Sequence, residues 1–141
     1  AKSLEQHIGK IGSIIVWHKS FECGKNRELA ERIPEFKSFL DDINARTYDL
    51  EDIFKKQYHV HKDYRGSSSI KKILPVLVPD LSYKDLNIRD GGGATNNWNK
   101  VVSLNIDEFE KDIIIENLKE YCKMDTYAMY AIWKELNKLL K

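Results

Sequence analysis

Two side chains near the end of the chain, Tyr121 and Asp125 in YCKMDTYAMYAIWKEL, stand one helical turn apart on a stripe that continues through Ala128, Ile132 and Leu136. A phenol and a carboxylate thus head a seam that is otherwise apolar and given to the core. A plainer arrangement, with the Tyr121 hydroxyl at the rim and Asp125 solvated, satisfies the same pattern, because unpaired acids are seldom buried. A second carboxylate, Glu22, follows the apolar, β-branched run SIIVWHKSF and falls near the first turn of the next helix. A rigid strand end there would hold it toward a metal or a reacting water. An acid at that position also interacts with the helix macrodipole, worth a few tenths to about 1 kcal/mol.

Other chemistry-bearing residues are less specific. His59 and His61 have ligand chemistry but lack a nearby third ligand, and zinc sites use three or four. The GGGA segment has neither the lysine-serine ending nor the strand-before, helix-after context of a phosphate loop. Arg65, Lys71 and Lys72, beside Tyr64 and a run of serines, suit a phosphate backbone and a solvated helix face equally.

The elements that must position these residues follow from periodicity and punctuation. AKSLEQHIGKIG reads as a helix weakened by Gly9 and Gly12, and a buried strand is expected at about 13–18. ECGKNRELAERI is a helix stopped at Pro34, and EFKSFLDDI is another. A second strand is expected at about 45–50 in ARTYDL, followed by a helical EDIF and a loop over HKDYRGSSS. SIKKILPVL is an apolar helix that Pro75 would end or kink, and GGGATNNWN is expected to be a flexible connection. A last helix starts at the cap Asp107, with Glu110 in the capping-box position. Two strands separated by helices predict an α/β layer arrangement, mostly helical by residue count.

With 141 residues, 42% of them hydrophobic, the chain suits a single domain over 1–141. The 23 basic and 22 acidic residues nearly cancel, so any contact with nucleic acid must be local. Cys23 and Cys122 lack CxxC spacing and fit ordinary thiols in a reducing compartment. The longest apolar runs fall short of a membrane span, and no signal-peptide pattern opens the chain. The expectation is a soluble, cytoplasmic protein with no membrane contact.

Taken in order, these segments resemble two things. HKSFE, TYDLEDIF, GSSSIKKIL and Tyr-x-x-x-Asp resemble the motifs of the DEDD exonucleases, tyrosine type, of the ribonuclease H-like fold. In HKSFE, His18 stands for the family's asparagine and Glu22 for its aspartate, and Asp49 matches the second-strand aspartate. Over most of its length the chain resembles a bacterial domain family, the domain of unknown function 2779, in which GSIIVWHKSFE and SIKKILPVLVPDLSYKDL recur in this order. The nuclease resemblance implies the C-terminal portion of a ribonuclease H-like fold and two-metal phosphodiester hydrolysis with magnesium or manganese. It implies Glu22, Tyr121 and Asp125 as catalytic residues, with Glu22 and Asp125 as metal ligands and Tyr121 orienting water. It also implies His18, Phe21, Ser69 and Lys71 as contacts to a DNA or RNA substrate. The family's first motif, Asp-x-Glu on a first strand, has no counterpart here. The chain is therefore expected to be a fragment, inactive alone, whose partners are the upstream part of a parent protein and a second copy pairing along the sheet edge of Ile14, Ile15 and Val16.

Overall fold

A computed structural model describes residues 1–103 and 106–140. The chain divides into two compact units, residues 1–69 and 70–141.

The first unit contains α1 (Lys2–His7), β1 (Ile14–Val16), α2 (Lys19–Arg32), α3 (Lys37–Arg46), β2 (Thr47–Asp49) and α4 (Asp52–Lys55), with short 3-10 turns at Pro34–Phe36 and Lys62–Tyr64. β1 and β2 pair in parallel, Ile14 with Thr47, Ile15 with Tyr48 and Val16 with Asp49, and α2 and α3 make the crossover that a parallel pair requires. Ala30, Leu40 and Ile43 form the core beneath it, packed by Ile8, Ile14, Leu29, Phe36 and Phe39. Trp17 stacks on Phe54 at 5.5 Å, and Tyr64 meets Phe54 edge-on at 5.7 Å.

Both strands are shorter than the 13–18 and 45–50 expected, and β1 is half-buried rather than buried. At the end of β1 the backbone turns left-handed at His18 (φ 71°) and helix α2 begins at Lys19, three residues before the helix read from ECGK. At the start of β2, Ala45 and Arg46 continue α3, where the Arg46 guanidinium bonds Asp42 and the carbonyls of Gly9 and Gly12. The α/β class stands, in its smallest form: a mostly helical chain with one two-stranded parallel sheet among the described residues.

The second unit is helical: α5 (Ile70–Leu77), α6 (Gly91–Ser103) and α7 (Glu108–Lys138), with α5 and α6 each packed against α7. The expected flexible GGGATNNWN is the body of α6. Asp90 overrides the glycines: its Oδ1 accepts from the Gly93 N–H at 2.7 Å and its carbonyl from the Ala94 N–H at 2.9 Å. Three glycines cost about 1 kcal/mol each relative to alanine, which this cap and the packing of α6 on α7 offset. Pro75 lies inside α5 rather than ending it, and the fully buried Ile73 and Leu74 compensate for the missing N–H. The Asp107 cap is present, its Oδ1 accepting from the Glu110 N–H at 2.8 Å. Along α7, Tyr121, Ala128 and Ile132 are buried as the stripe requires.

Candidate functional site

In the first unit the side chains with chemistry gather at the carboxyl ends of the two strands. Asp49, last residue of β2, takes the backbone N–H groups of His18 (3.0 Å) and Glu51 (3.1 Å) on Oδ1 and that of Lys19 (2.8 Å) on Oδ2. The left-handed His18 aims its own N–H and the next at the same carboxylate, so Asp49 caps α2 from a neighbouring strand. Lys19 closes the junction from the other side, its Nζ donating to the Thr47 carbonyl at 2.6 Å. Beside this cap the Glu51 carboxylate, 9% exposed, accepts from Ser68 Oγ at 2.7 Å and from His18 Nδ1 at 3.1 Å. A carboxylate that accepts on both oxygens places a proton on His18 Nδ1.

Glu22 is exposed in the first turn of α2. Phe21 is 56% exposed, with the Lys25 ammonium 5.6 Å from its ring centroid. Ser69 donates its backbone N–H to Ser67 Oγ at 3.2 Å. Of the first unit's expected site residues, His18 joins the strand-end cluster through its bonds to Asp49 and Glu51. Glu51 and Ser68 were not legible there, because an acid after a strand and a serine in a loop carry no signal of meeting.

The second unit assembles the other half of the expected set. Tyr121 is buried on α7, and Asp125 one turn on accepts from Tyr83 Oη at 2.7 Å. The Tyr83 and Tyr121 rings lie 6.3 Å apart, and the Lys71 ammonium sits 5.4 Å from the Tyr83 ring centroid. Tyr83 thus joins Lys71 to the Tyr-x-x-x-Asp pair, and Asp125 is a bonded carboxylate rather than a solvated one. No helical spacing could have found Tyr83, 42 residues away in an irregular segment. Burial first, then the bond to Asp125 and its negative charge, push both phenols well above the ordinary tyrosine value. Tyr121 therefore stays protonated at neutral pH and can orient a water but not deprotonate it.

These raised phenols carry a stability prediction. The unfolded chain ionises its tyrosines near pH 10, whereas the folded unit keeps Tyr83 and Tyr121 protonated. Their contribution is fully present below pH about 10 and is lost as the pH climbs above it. Stability of the second unit should fall by up to about 1.4 kcal/mol per pH unit for each phenol. Urea unfolding at several alkaline pH values checks this, and Tyr121→Phe should roughly halve the slope.

The donors are of the right kind for magnesium or manganese, since Glu22 and Asp125 offer hard carboxylate oxygens. Among the described residues, no three His, Cys, Asp or Glu side chains form a group that could hold a metal. His59 and His61 spend their Nδ1 atoms locally, on Tyr64 Oη (3.2 Å) and the Asp63 N–H (3.3 Å). Cys23 is buried and Cys122 exposed, both as free thiols. Among the described residues no helix is long and apolar enough to cross a membrane.

Comparison with known proteins adds a family match. Residues 1–69, the extent of the first unit, match the model of the family described as Domain of unknown function (DUF2779). The chain is 31% identical to an uncharacterized protein of Ureaplasma parvum over 150 residues, covering 95% of this chain and 22% of that protein. It is 30% identical to an uncharacterized protein of Mycoplasma genitalium over 163 residues, covering 99% of this chain and 22% of that protein. The chain thus spans about a fifth of the length of the curated relatives it matches. No solved structure matches.

Proposed function

We propose that this chain is part of a metal-dependent nuclease domain with a ribonuclease H-like fold, acting on DNA or RNA within a longer protein. The observation that carries the reading is the second-unit cluster, in which Asp125 is bonded to Tyr83 and Tyr121 rises from the same apolar seam. A metal ligand needs such an outer partner to fix its free oxygen, and a solvated helix acid would not have one. Glu22 in the first unit and Asp125 in the second are each proposed as metal ligands, and a bound ion would lower the pKa of a water and stabilise the leaving oxygen. Tyr121, held protonated, donates to and orients that water. Tyr83 positions the Asp125 carboxylate, and Lys71, drawn to the Tyr83 ring, supplies positive charge for a phosphate.

A labelled-oligonucleotide assay with magnesium or manganese, with and without chelator, tests this. This chain alone should not cleave, because its sequence carries no Asp-x-Glu motif on a first strand. A longer chain that brings an Asp-x-Glu strand should. Cleavage by neither ends the reading.

One observation favours a second reading, a non-catalytic binding module. Tyr127, Tyr130 and Trp133 form an exposed row on α7, successive rings 6.2 Å apart and tilted by 35° and 28°. Such rows stack unpaired bases. Metal-independent binding of single strands without cleavage by the longer chain would select it.

The edge of β1 also carries an expectation. Ile14, Ile15 and Val16 are half-buried, and among the described residues β1 pairs only with β2. A free parallel edge of this composition recruits another strand, from the parent protein or a second copy. Sedimentation velocity on this chain should show concentration-dependent association, weakened by Ile15→Lys. A strict monomer at high concentration would remove the expectation.

A further inference from the structure

The first unit contains a cavity of about 240 Å³ beyond α4, walled by Phe54, His59 and Tyr64 and rimmed by Lys55, His61 and Ser67. The geometry points to this cavity as a binding pocket for a phosphate group. The inference does not depend on nuclease activity, because it uses neither Glu22 nor the second unit.

The donors are set by local bonds. Burial raises the Tyr64 phenol above its ordinary value, and its hydroxyl shares a hydrogen bond with His59 Nδ1 at 3.2 Å. At His61 the Nδ1 accepts the Asp63 backbone N–H at 3.3 Å, which places the ring proton on Nε2. Asp63 Oδ2 is 3.6 Å from that Nδ1, beyond hydrogen-bond range. Ser67 Oγ accepts from the Ser69 N–H at 3.2 Å, leaving its hydroxyl proton to donate. Among the described residues, neither Nε2 nor the Lys55 ammonium has a hydrogen-bond or ion-pair partner. An imidazole N–H, a hydroxyl and an ammonium thus border one small cavity as donors without acceptors, with the His59 ring beside them.

This set selects an anion with several oxygens. A cation would meet the Lys55 charge and find no carboxylate among the lining residues. A phosphate offers three terminal oxygens to these three donors, and charge-assisted bonds to it are the strong ones. The backbone is held for the purpose: Gln57 (φ 59°), Arg65 (φ 51°) and Gly66 (φ 73°) are left-handed within a ten-residue stretch. Two of these are not glycine, and strain of that kind collects at ligand sites. The phosphate could end a nucleic-acid strand or belong to a small free molecule, and the same chemistry would hold either.

The test is NMR of the His59 and His61 side chains in the whole chain, titrated with inorganic phosphate and separately with 5′-phosphorylated and 5′-hydroxyl oligonucleotides at constant ionic strength. Saturable shifts with phosphate are expected, weakened about tenfold by Lys55→Gln. Lys55 is exposed, so that variant should keep the fold, and Lys37→Gln, on α3 and paired with Asp41, should bind as the parent does. If the phosphorylated oligonucleotide binds more tightly than inorganic phosphate, the source is a strand end. If it binds no more tightly, the source is a small phosphate compound. Shifts that do not saturate, that chloride reproduces, or that Lys55→Gln leaves unchanged overturn the assignment.

Discussion

In a longer chain that carries an Asp-x-Glu strand, Asp125→Asn is expected to lower magnesium-dependent cleavage by about a hundredfold or more while leaving the fold intact. The asparagine oxygen still accepts the Tyr83 hydroxyl, now at 2.7 Å, so packing on α7 survives. What is lost is a negative oxygen that the cation needs, and removal even of an outer partner of a metal ligand costs about 10- to 100-fold. Tyr83→Phe is the graded companion. It removes that outer bond alone and should cost about tenfold, chiefly as a higher metal concentration for half-maximal rate. Tyr121→Phe should leave the metal dependence in place and lower the maximal rate, since it loosens a water rather than a ligand. Cleavage assays over a metal titration separate the three patterns, and a rate indifferent to Asp125→Asn would dismiss the assigned site.

The first unit carries the largest stability effect, at Asp49. One carboxylate there serves three backbone N–H groups, two of them at the start of α2. Asp49→Ala removes a helix cap worth about 1 kcal/mol and a further charge-assisted bond worth about 1.5–3 kcal/mol. It also releases the strained left-handed turn at His18. A loss of about 3 kcal/mol is expected, and Asp49→Asn, which keeps one acceptor oxygen, should lose about half of that. Trp17, stacked on Phe54 beside this junction, reports unfolding of this unit by fluorescence once Trp98 and Trp133, both exposed, are replaced by Phe. A change under 0.5 kcal/mol, roughly that of an ordinary surface site, would show that the cap is dispensable. The prediction also bears on function: a carboxylate engaged on both oxygens by the backbone is a scaffold for the strand ends, and the nuclease reading accordingly places its ligands at Glu22 and Asp125.

Much of the chain was legible before folding because its signals are local. The α7 stripe, the Asp107 cap and the positions of both strands follow from residues within a few turns of one another, where side-chain period and backbone hydrogen bonding are set by neighbours in sequence. Where the local signal was overridden, a single polar group decided. Asp90 turned a glycine-rich segment into a helix, and Asp49 started α2 early and shortened β1.

By itself, then, the sequence determined the helical periodicity, the strand placement and the Tyr-x-x-x-Asp geometry on one face of α7. Only the tertiary structure decided what those side chains meet. Asp125 finds Tyr83 across 42 residues, and Asp49 finds the His18 and Lys19 amides across 31 and 30. Glu51 finds Ser68 and His18 across 17 and 33. The physical reason is that a hydrogen bond between distant residues depends on where packed helices and paired strands bring the backbone. That placement is fixed by burial of the apolar faces as a whole, so no spacing in the sequence encodes it.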